Sequence, residues 1–273
     1  MRGVTVGATS ALMPPQLSPC AEIVRRHDPD RFLTALFAPP ALRDTLFVLY
    51  AVNHELAWAR EAVTNPMAAL IRLQWWREVA EGARRRHEVA GPLGEALDAG
   101  RLHAADLLAM IDGREAETEP METEAAFRSY LLAVAGGVAA AAGRALGAAG
   151  PALDALRDLG TAYGAAGVLR SVPALARQSR CVLPEDVLAQ HGLSLEDVIA
   201  DPERASMEGV RAHIAAMASE WLEAGRACRV PRQAIAAALP GVFAARDLAR
   251  PRHGARGIAD RLAVTAAALR GRV

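Results

Sequence analysis

Helical patterning covers this chain almost from end to end, and patterning typical of strands is nearly missing. Aromatic residues make up only 4% of the sequence, and no long segment alternates β-branched with polar residues as a half-buried strand does. Residues spaced by alternating steps of four and three instead mark one face of a helix: Leu42, Leu46, Leu49, Asn53 and Leu56. The chain is therefore predicted to be all-α.

Proline residues divide this helical pattern into segments. Ser18-Pro19 and Asp28-Pro29 have the sequence of an N-cap followed by proline at the first helical position, where the missing N–H costs no hydrogen bond. Pro173 falls inside a long predicted helix and is expected to kink or interrupt it. The longer helices are predicted at about 41–61, 66–82, 124–146, 152–178, 202–226, 231–249 and 257–269, with shorter ones at 92–99, 102–111 and 185–190.

The sequence predicts one domain preceded by a short N-terminal arm. Residues 1–17 are small and apolar and lack the central region of a signal peptide, so they are predicted to form a flexible N-terminal arm. Residues 18–273 contain no internal linker and are predicted to form a single helical domain. The longest uncharged apolar run, 131–142, is shorter than the roughly 20 residues that a membrane-spanning helix needs.

Charge and cysteine content exclude several classes of function. The 31 basic and 31 acidic residues balance, which argues against a general electrostatic nucleic-acid binder. Every basic residue is arginine, so a Schiff-base lysine is excluded. Cys20, Cys181 and Cys228 lie far apart, and we expect reduced thiols with neither a disulfide framework nor a zinc site.

Four segments, taken in order, resemble the squalene/phytoene synthase family. They are 46–53 (LFVLYAVN), 130–138 (YLLAVAGGV), 159–170 (beginning LGTAY and ending VLR) and 180–188 (RCVLPEDVL). No single segment is highly specific, but their order and spacing match the family. The resemblance implies an isoprenoid synthase-type helical bundle around a central cavity.

The chemistry of that family depends on two aspartate-rich motifs on facing helices. Its enzymes join two prenyl diphosphates head to head, and magnesium ions held by the aspartates neutralise the departing diphosphate. In this chain the motifs fall on residues 57–61 (AWARE) and 171–175 (SVPAL). The acidic positions are taken by Ala57, Glu61, Ser171 and Leu175. Since only Glu61 is a carboxylate, the resemblance implies that the motifs no longer supply catalytic residues or a metal site.

The resemblance also implies a set of ligand-binding residues. Arg170 and Arg180 match family positions near the diphosphate pocket, and guanidinium groups bind phosphate through parallel hydrogen bonds. The alternative reading of these arginines is a surface location, or pairing with Glu185 and Asp186. The full predicted set is Tyr50, Asn53, His54, Arg170, Arg177 and Arg180.

A narrower resemblance extends over 50–61 (YAVNHELAWARE) and 71–78 (IRLQWWRE). These segments are similar to a divergent branch of the family that includes a phytoene-synthase-like mitochondrial complex I assembly factor and its bacterial relatives. This implies a pseudo-synthase without a cofactor, which either binds an isoprenoid or its diphosphate or assists assembly of a respiratory complex. It would be cytoplasmic, with at most peripheral contact to the inner membrane. The alternative is an active, magnesium-dependent head-to-head prenyltransferase.

Overall fold

The computed structural model describes residues 17–61, 65–249 and 256–273, so most of the predicted N-terminal arm lies outside the described residues. The described ranges contain α-helices, short 3-10 turns and one π-helical turn, without a strand, and the all-α prediction is confirmed. The α-helices are α1 (Pro19–His27), α2 (Pro29–Ala35), α3 (Arg43–Glu61), α4 (Pro66–Ala80), α5 (Ala90–Asp98), α6 (Ala104–Glu115), α7 (Glu124–Leu131), α8 (Gly137–Ala145), α9 (Pro151–Ala176), α10 (Glu185–Gln190), α11 (Leu195–Ala200), α12 (Met207–Ala227), α13 (Ile235–Ala238), α14 (Pro240–Ala249) and α15 (Ile258–Arg270).

The first two helices begin where the N-cap sequences predicted. The hydroxyl of Ser18 accepts a hydrogen bond from the backbone N–H of Ala21 at 3.3 Å. The carboxylate of Asp28 accepts one from the backbone N–H of Arg31 at 3.0 Å. Each side chain satisfies an N–H group that the first turn of a helix leaves unpaired. The cap at Asp28 also sets the direction of α2, whose residue Asp30 is buried.

The helix predicted at 124–146 is divided by a π-helical turn over Leu132–Gly136, which separates α7 from α8. The small residues of this segment allow α9 to approach closely. A Cβ atom added to Gly160 of α9 would lie 2.4 Å from the Cβ of Ala139 and 2.8 Å from the carbonyl oxygen of Ala135. Within the described ranges, only Glu124–Ala145 is long and apolar enough to cross a membrane, and most of its apolar window is buried in the bundle.

Helix α9 is the central helix of the bundle, with its most extensive contacts to α12 and further contacts to α8, α14 and the π turn. The interruption expected at Pro173 does not occur, since the helix continues to Ala176. A proline here removes one hydrogen bond, to the carbonyl of Leu169. Because Val172 and Ala176 are both buried, packing holds this turn despite the missing bond.

Two predicted C-terminal helices have different bounds in the structure. The helix predicted at 202–226 begins only at Met207, and α11 precedes it with a capping box between Ser194 and Asp197. The helix predicted at 231–249 is divided into a 3-10 turn, α13 and α14. The division before α14 follows from Pro240, which cannot donate a hydrogen bond to α13 and is favourable as the first residue of a new helix.

Candidate functional site

A cavity of about 480 Å³ lies between α2, α3, α6, α7, the π turn and α9. This volume is within the range of small-molecule binding sites. One part of its wall is apolar and comes from Leu131, Val134 and Ala135, and another part is formed by charged side chains. The predicted site residues that line it are Asn53, Glu61, Arg170, Ser171, Leu175 and Arg180. Residues from the two motif segments therefore face one cavity, although they lie more than a hundred positions apart.

The other predicted site residues are not part of the cavity lining. Tyr50 is buried, with the guanidinium of the lining residue Arg31 over its ring at 5.7 Å. The imidazole of His54 stacks on that of His27 with ring centroids 4.2 Å apart. Arg177 is exposed at the C-terminal cap of α9, and Ala57 is also outside the lining.

Ion pairs at one end of the cavity form what we call the Arg256 cluster: Asp30, Arg170, Asp247 and Arg256. Arg256 donates hydrogen bonds to Asp30 and Asp247, each at 2.8 Å. Arg170 donates to Asp247 at 2.8 Å, so its partner is neither Glu185 nor Asp186. The Asp30 and Asp247 side chains are only 9% and 4% exposed. Burial opposes the charge of Arg256, but its hydrogen bonds to Asp247 and Asp30 outweigh this and raise its pKa.

A second set of ion pairs, the Glu117 cluster, consists of Arg114, Glu117, Tyr130 and Arg180. Arg114 donates a hydrogen bond to Glu117, and Tyr130 donates another at 2.7 Å. Arg180 reaches the same carboxylate at 3.3 Å. The sequence did not indicate Glu117, because it lies in the acidic segment 114–123, which resembles a solvated loop.

Arg180 still has an unused hydrogen-bond donor in this cluster. Its Nη1 atom is buried and has no hydrogen-bond partner among the described residues. A buried donor without a partner costs free energy, by about 1–3 kcal/mol. Since Arg180 lines the cavity, an oxygen atom of a bound ligand would remove this cost.

Glu61 is the remaining carboxylate from the first motif segment. Partial desolvation at the cavity is the largest influence and raises its pKa, with Glu117 acting in the same direction and Arg180 and Arg114 opposing. The residues of the described ranges include no group of three or more His, Cys, Asp or Glu side chains that could hold a metal ion. Within the described residues, Glu61 and the nearby Glu117 therefore do not belong to a set of three side chains that could hold a cation.

From the stacking of His54 on His27 we expect the free energy of unfolding to depend on pH. Burial, followed by the nearby His27, lowers the pKa of His54 below its usual 6.5. The unfolded chain therefore binds this proton more tightly than the folded protein does. The contribution of His54 to the free energy of unfolding is at its full value above pH 6.5 and is lost as the pH falls through its lower folded-state pKa. We expect His54→Gln to reduce the loss of unfolding free energy between about pH 7.5 and about pH 5, measured by urea titration. His103→Gln, at an exposed position, is the control, and an equal reduction there would contradict the prediction.

An all-α bundle whose central cavity is walled by charged side chains from facing helices is the architecture of the isoprenoid synthases. The profile of the squalene/phytoene synthase family matches residues 24–266. The chain belongs to this family.

Solved structures agree on the fold. A dehydrosqualene synthase in complex with a ligand superposes with a TM-score of 0.76, covering 92% of this chain and 94% of that one at 15% identity. A squalene synthase from Alicyclobacillus acidocaldarius gives a TM-score of 0.67, with 92% of each chain covered at 18% identity. At such low identity the likeness shows the fold alone, and it confirms the predicted isoprenoid synthase-type bundle.

Curated relatives match the divergent branch that the sequence indicated. The rat protein named NADH dehydrogenase (ubiquinone) complex I, assembly factor 6, is 29% identical over 236 residues, which span 82% of this chain and 70% of that protein. The human protein of the same name is 27% identical over 218 residues, spanning 76% and 64%. A homologue from Drosophila melanogaster is 29% identical over 201 residues, spanning 66% and 58%.

Proposed function

We propose that this protein is a non-catalytic member of the family that assists assembly of a respiratory NADH dehydrogenase complex and retains its cavity as a binding pocket for an isoprenoid diphosphate. The observation that carries this proposal is the internal pairing of the charged side chains around the cavity. Asp30, Asp247 and Glu117 each accept hydrogen bonds from arginine. Their negative charge is therefore compensated without a metal ion.

This pairing of carboxylates with arginines argues against magnesium-dependent catalysis. A magnesium cluster requires several carboxylates whose charge is available to the cations. Here magnesium would have to displace Arg256 from two buried aspartates or Arg114 from Glu117, which would leave a buried guanidinium without its partner. Glu61 alone supplies one ligand of the several that magnesium needs.

The same arginines support binding of an anion in the cavity. The buried Nη1 atom of Arg180 has no hydrogen-bond partner among the described residues, and Arg170 lies on the same cavity wall. The apolar wall around Leu131 and Val134 suits a prenyl chain. An isoprenoid diphosphate would satisfy both parts of the cavity, with its phosphate oxygens at the arginines.

The absence of catalysis and the binding of an isoprenoid diphosphate are tested together, with purified protein, magnesium and farnesyl or geranylgeranyl diphosphate. We expect no release of diphosphate above the protein-free background, together with saturable binding measured by calorimetry. Arg180→Met should weaken this binding about tenfold or more, since a charge-assisted hydrogen bond is lost. Arg177→Met removes an exposed arginine outside the cavity and should leave binding unchanged. Diphosphate release that depends on magnesium would instead establish the active prenyltransferase.

The assembly role is tested in the source organism with a tagged full-length chain. We expect NADH dehydrogenase subunits to copurify with it. Deletion of the gene should lower the amount of assembled complex and its NADH:quinone activity, while the squalene or carotenoid content stays constant. Loss of a terpenoid with a normal level of the complex would contradict the proposal.

A further inference from the structure

The outer face of α15 is apolar although no described helix covers it. Ile258, Leu262 and Leu269 are all exposed. Their spacings of four and seven residues place them along one side of the helix. The opposite side, with Val264 and Ala267, is buried against the bundle. The exposed side therefore presents an apolar stripe of three side chains over about 16 Å, at 1.5 Å per residue, with Thr265 between them, whose hydroxyl donates a hydrogen bond to the carbonyl of Arg261.

Arginines surround the C-terminal end of this stripe. A second cavity, of about 370 Å³, lies where the ends of α12 and α15 meet. Its lining includes four arginines and no Asp or Glu: Arg226, Arg229, Arg270 and Arg272. All four are exposed.

The acidic side chains of the described residues do not pair with the positive charge of this region. Asp260 is the one acidic residue of α15, and it points inward, where it accepts a hydrogen bond from Arg246 at 2.6 Å. No carboxylate within the described ranges forms an ion pair with the four arginines of the cavity. The outer surface of α15 and the adjoining cavity therefore combine exposed apolar side chains with a surplus of guanidinium groups.

We propose that the outer face of α15 and the arginine-lined cavity form a docking surface for an anionic lipid bilayer. Apolar side chains of a surface helix enter the boundary between headgroups and acyl chains, while its arginines bind lipid phosphates. The surplus of arginines on this surface favours an anionic bilayer over the other candidates. A second copy of the chain would bring arginines against arginines, and residues 1–16 contain one arginine and no acidic residue to offset the charge. The inference is independent of the proposed assembly role.

The test measures sedimentation of the purified full-length protein with vesicles. Vesicles of phosphatidylcholine alone are compared with vesicles that also contain phosphatidylglycerol. We expect binding only to the anionic vesicles, weakening as salt is added because exposed charges are screened. The double variant Arg270→Gln/Arg272→Gln should weaken binding by about fivefold for each arginine removed. Arg86→Gln/Arg101→Gln removes two exposed arginines elsewhere and should have no effect.

A matched pair of variants tests the apolar stripe. Leu262→Ser/Leu269→Ser changes residues that are 63% and 70% exposed, and Met67→Ser/Ile71→Ser changes residues on α4 that are 61% and 65% exposed. Both variants should fold, which circular dichroism verifies. Only the α15 variant should lose vesicle binding. Equal loss in both, or no loss in either, would overturn the proposal. Light scattering without lipid tests for self-association. If the protein self-associates and only the α15 variant abolishes this, the proposal is also overturned and the face is assigned to a second copy of the chain.

Discussion

Replacement of Arg256 by methionine is expected to lower the free energy of unfolding by about 3–5 kcal/mol, the cost of leaving a buried charge without its partner. Arg256 is the residue that connects the buried carboxylates of Asp30 and Asp247. Without it, Arg170 is the remaining guanidinium at the pair among the described residues, at 2.8 Å from Asp247 and 3.5 Å from Asp30. Urea unfolding near neutral pH, followed by circular dichroism, measures the change.

The control for Arg256→Met is a pair of the same residue types on the surface. Arg84 and Asp98 form an ion pair in which both side chains are more than half exposed. Arg84→Met should therefore cost no more than about 1 kcal/mol, since solvent screens the pair. Similar losses for both variants would contradict the view that the Arg256 cluster is a buried network. Arg256→Lys should lie between them, because lysine keeps the charge and loses the bidentate geometry.

Gly160→Ala is expected to destabilise the protein by about 1–3 kcal/mol, the usual cost of overpacking a core. Alanine favours a helix more than glycine does, so propensity alone predicts the opposite sign. The added methyl group would lie 2.4 Å from the Cβ of Ala139 and 2.8 Å from the carbonyl oxygen of Ala135. Neither atom can turn aside, so α9 would have to move away from α8 and the π turn. The same urea titration measures this loss.

Gly167→Ala is the matched variant on the same helix. A Cβ atom at this position meets no other atom within 4 Å. The gain in helix propensity then acts alone, and the free energy of unfolding should rise by about 0.5–1 kcal/mol. Destabilisation at both positions would show that the close approach at Gly160 is not the cause, and stabilisation at both would show that α9 can move without cost.

The candidate site was predictable in its location and less so in its chemistry. The resemblance placed the motif segments on α3 and α9, and Glu61, Ser171 and Leu175 indeed line the cavity. The partner of Arg170 could not be predicted, because Asp247 lies 77 residues further along the chain. Nothing in the local sequence distinguishes an arginine that faces a buried aspartate from one on the surface. The exposed Arg177, seven residues away, has the same residue type and a different environment.

The sequence by itself determined the all-α class, the family and the starts of α1 and α2. The helical class and the helix starts depend on residues within a few positions of one another: side chains at helical spacing, and an N-cap followed by proline. The family depends on the order and spacing of four segments along the chain. Only the tertiary structure decided that Glu117 would contact Arg114, Tyr130 and Arg180 at the cavity. It also decided that a π turn would separate α7 from α8 within the helix predicted at 124–146. Such features depend on which distant helices meet, and that is set by packing of the whole bundle and leaves no periodic signal in the local sequence.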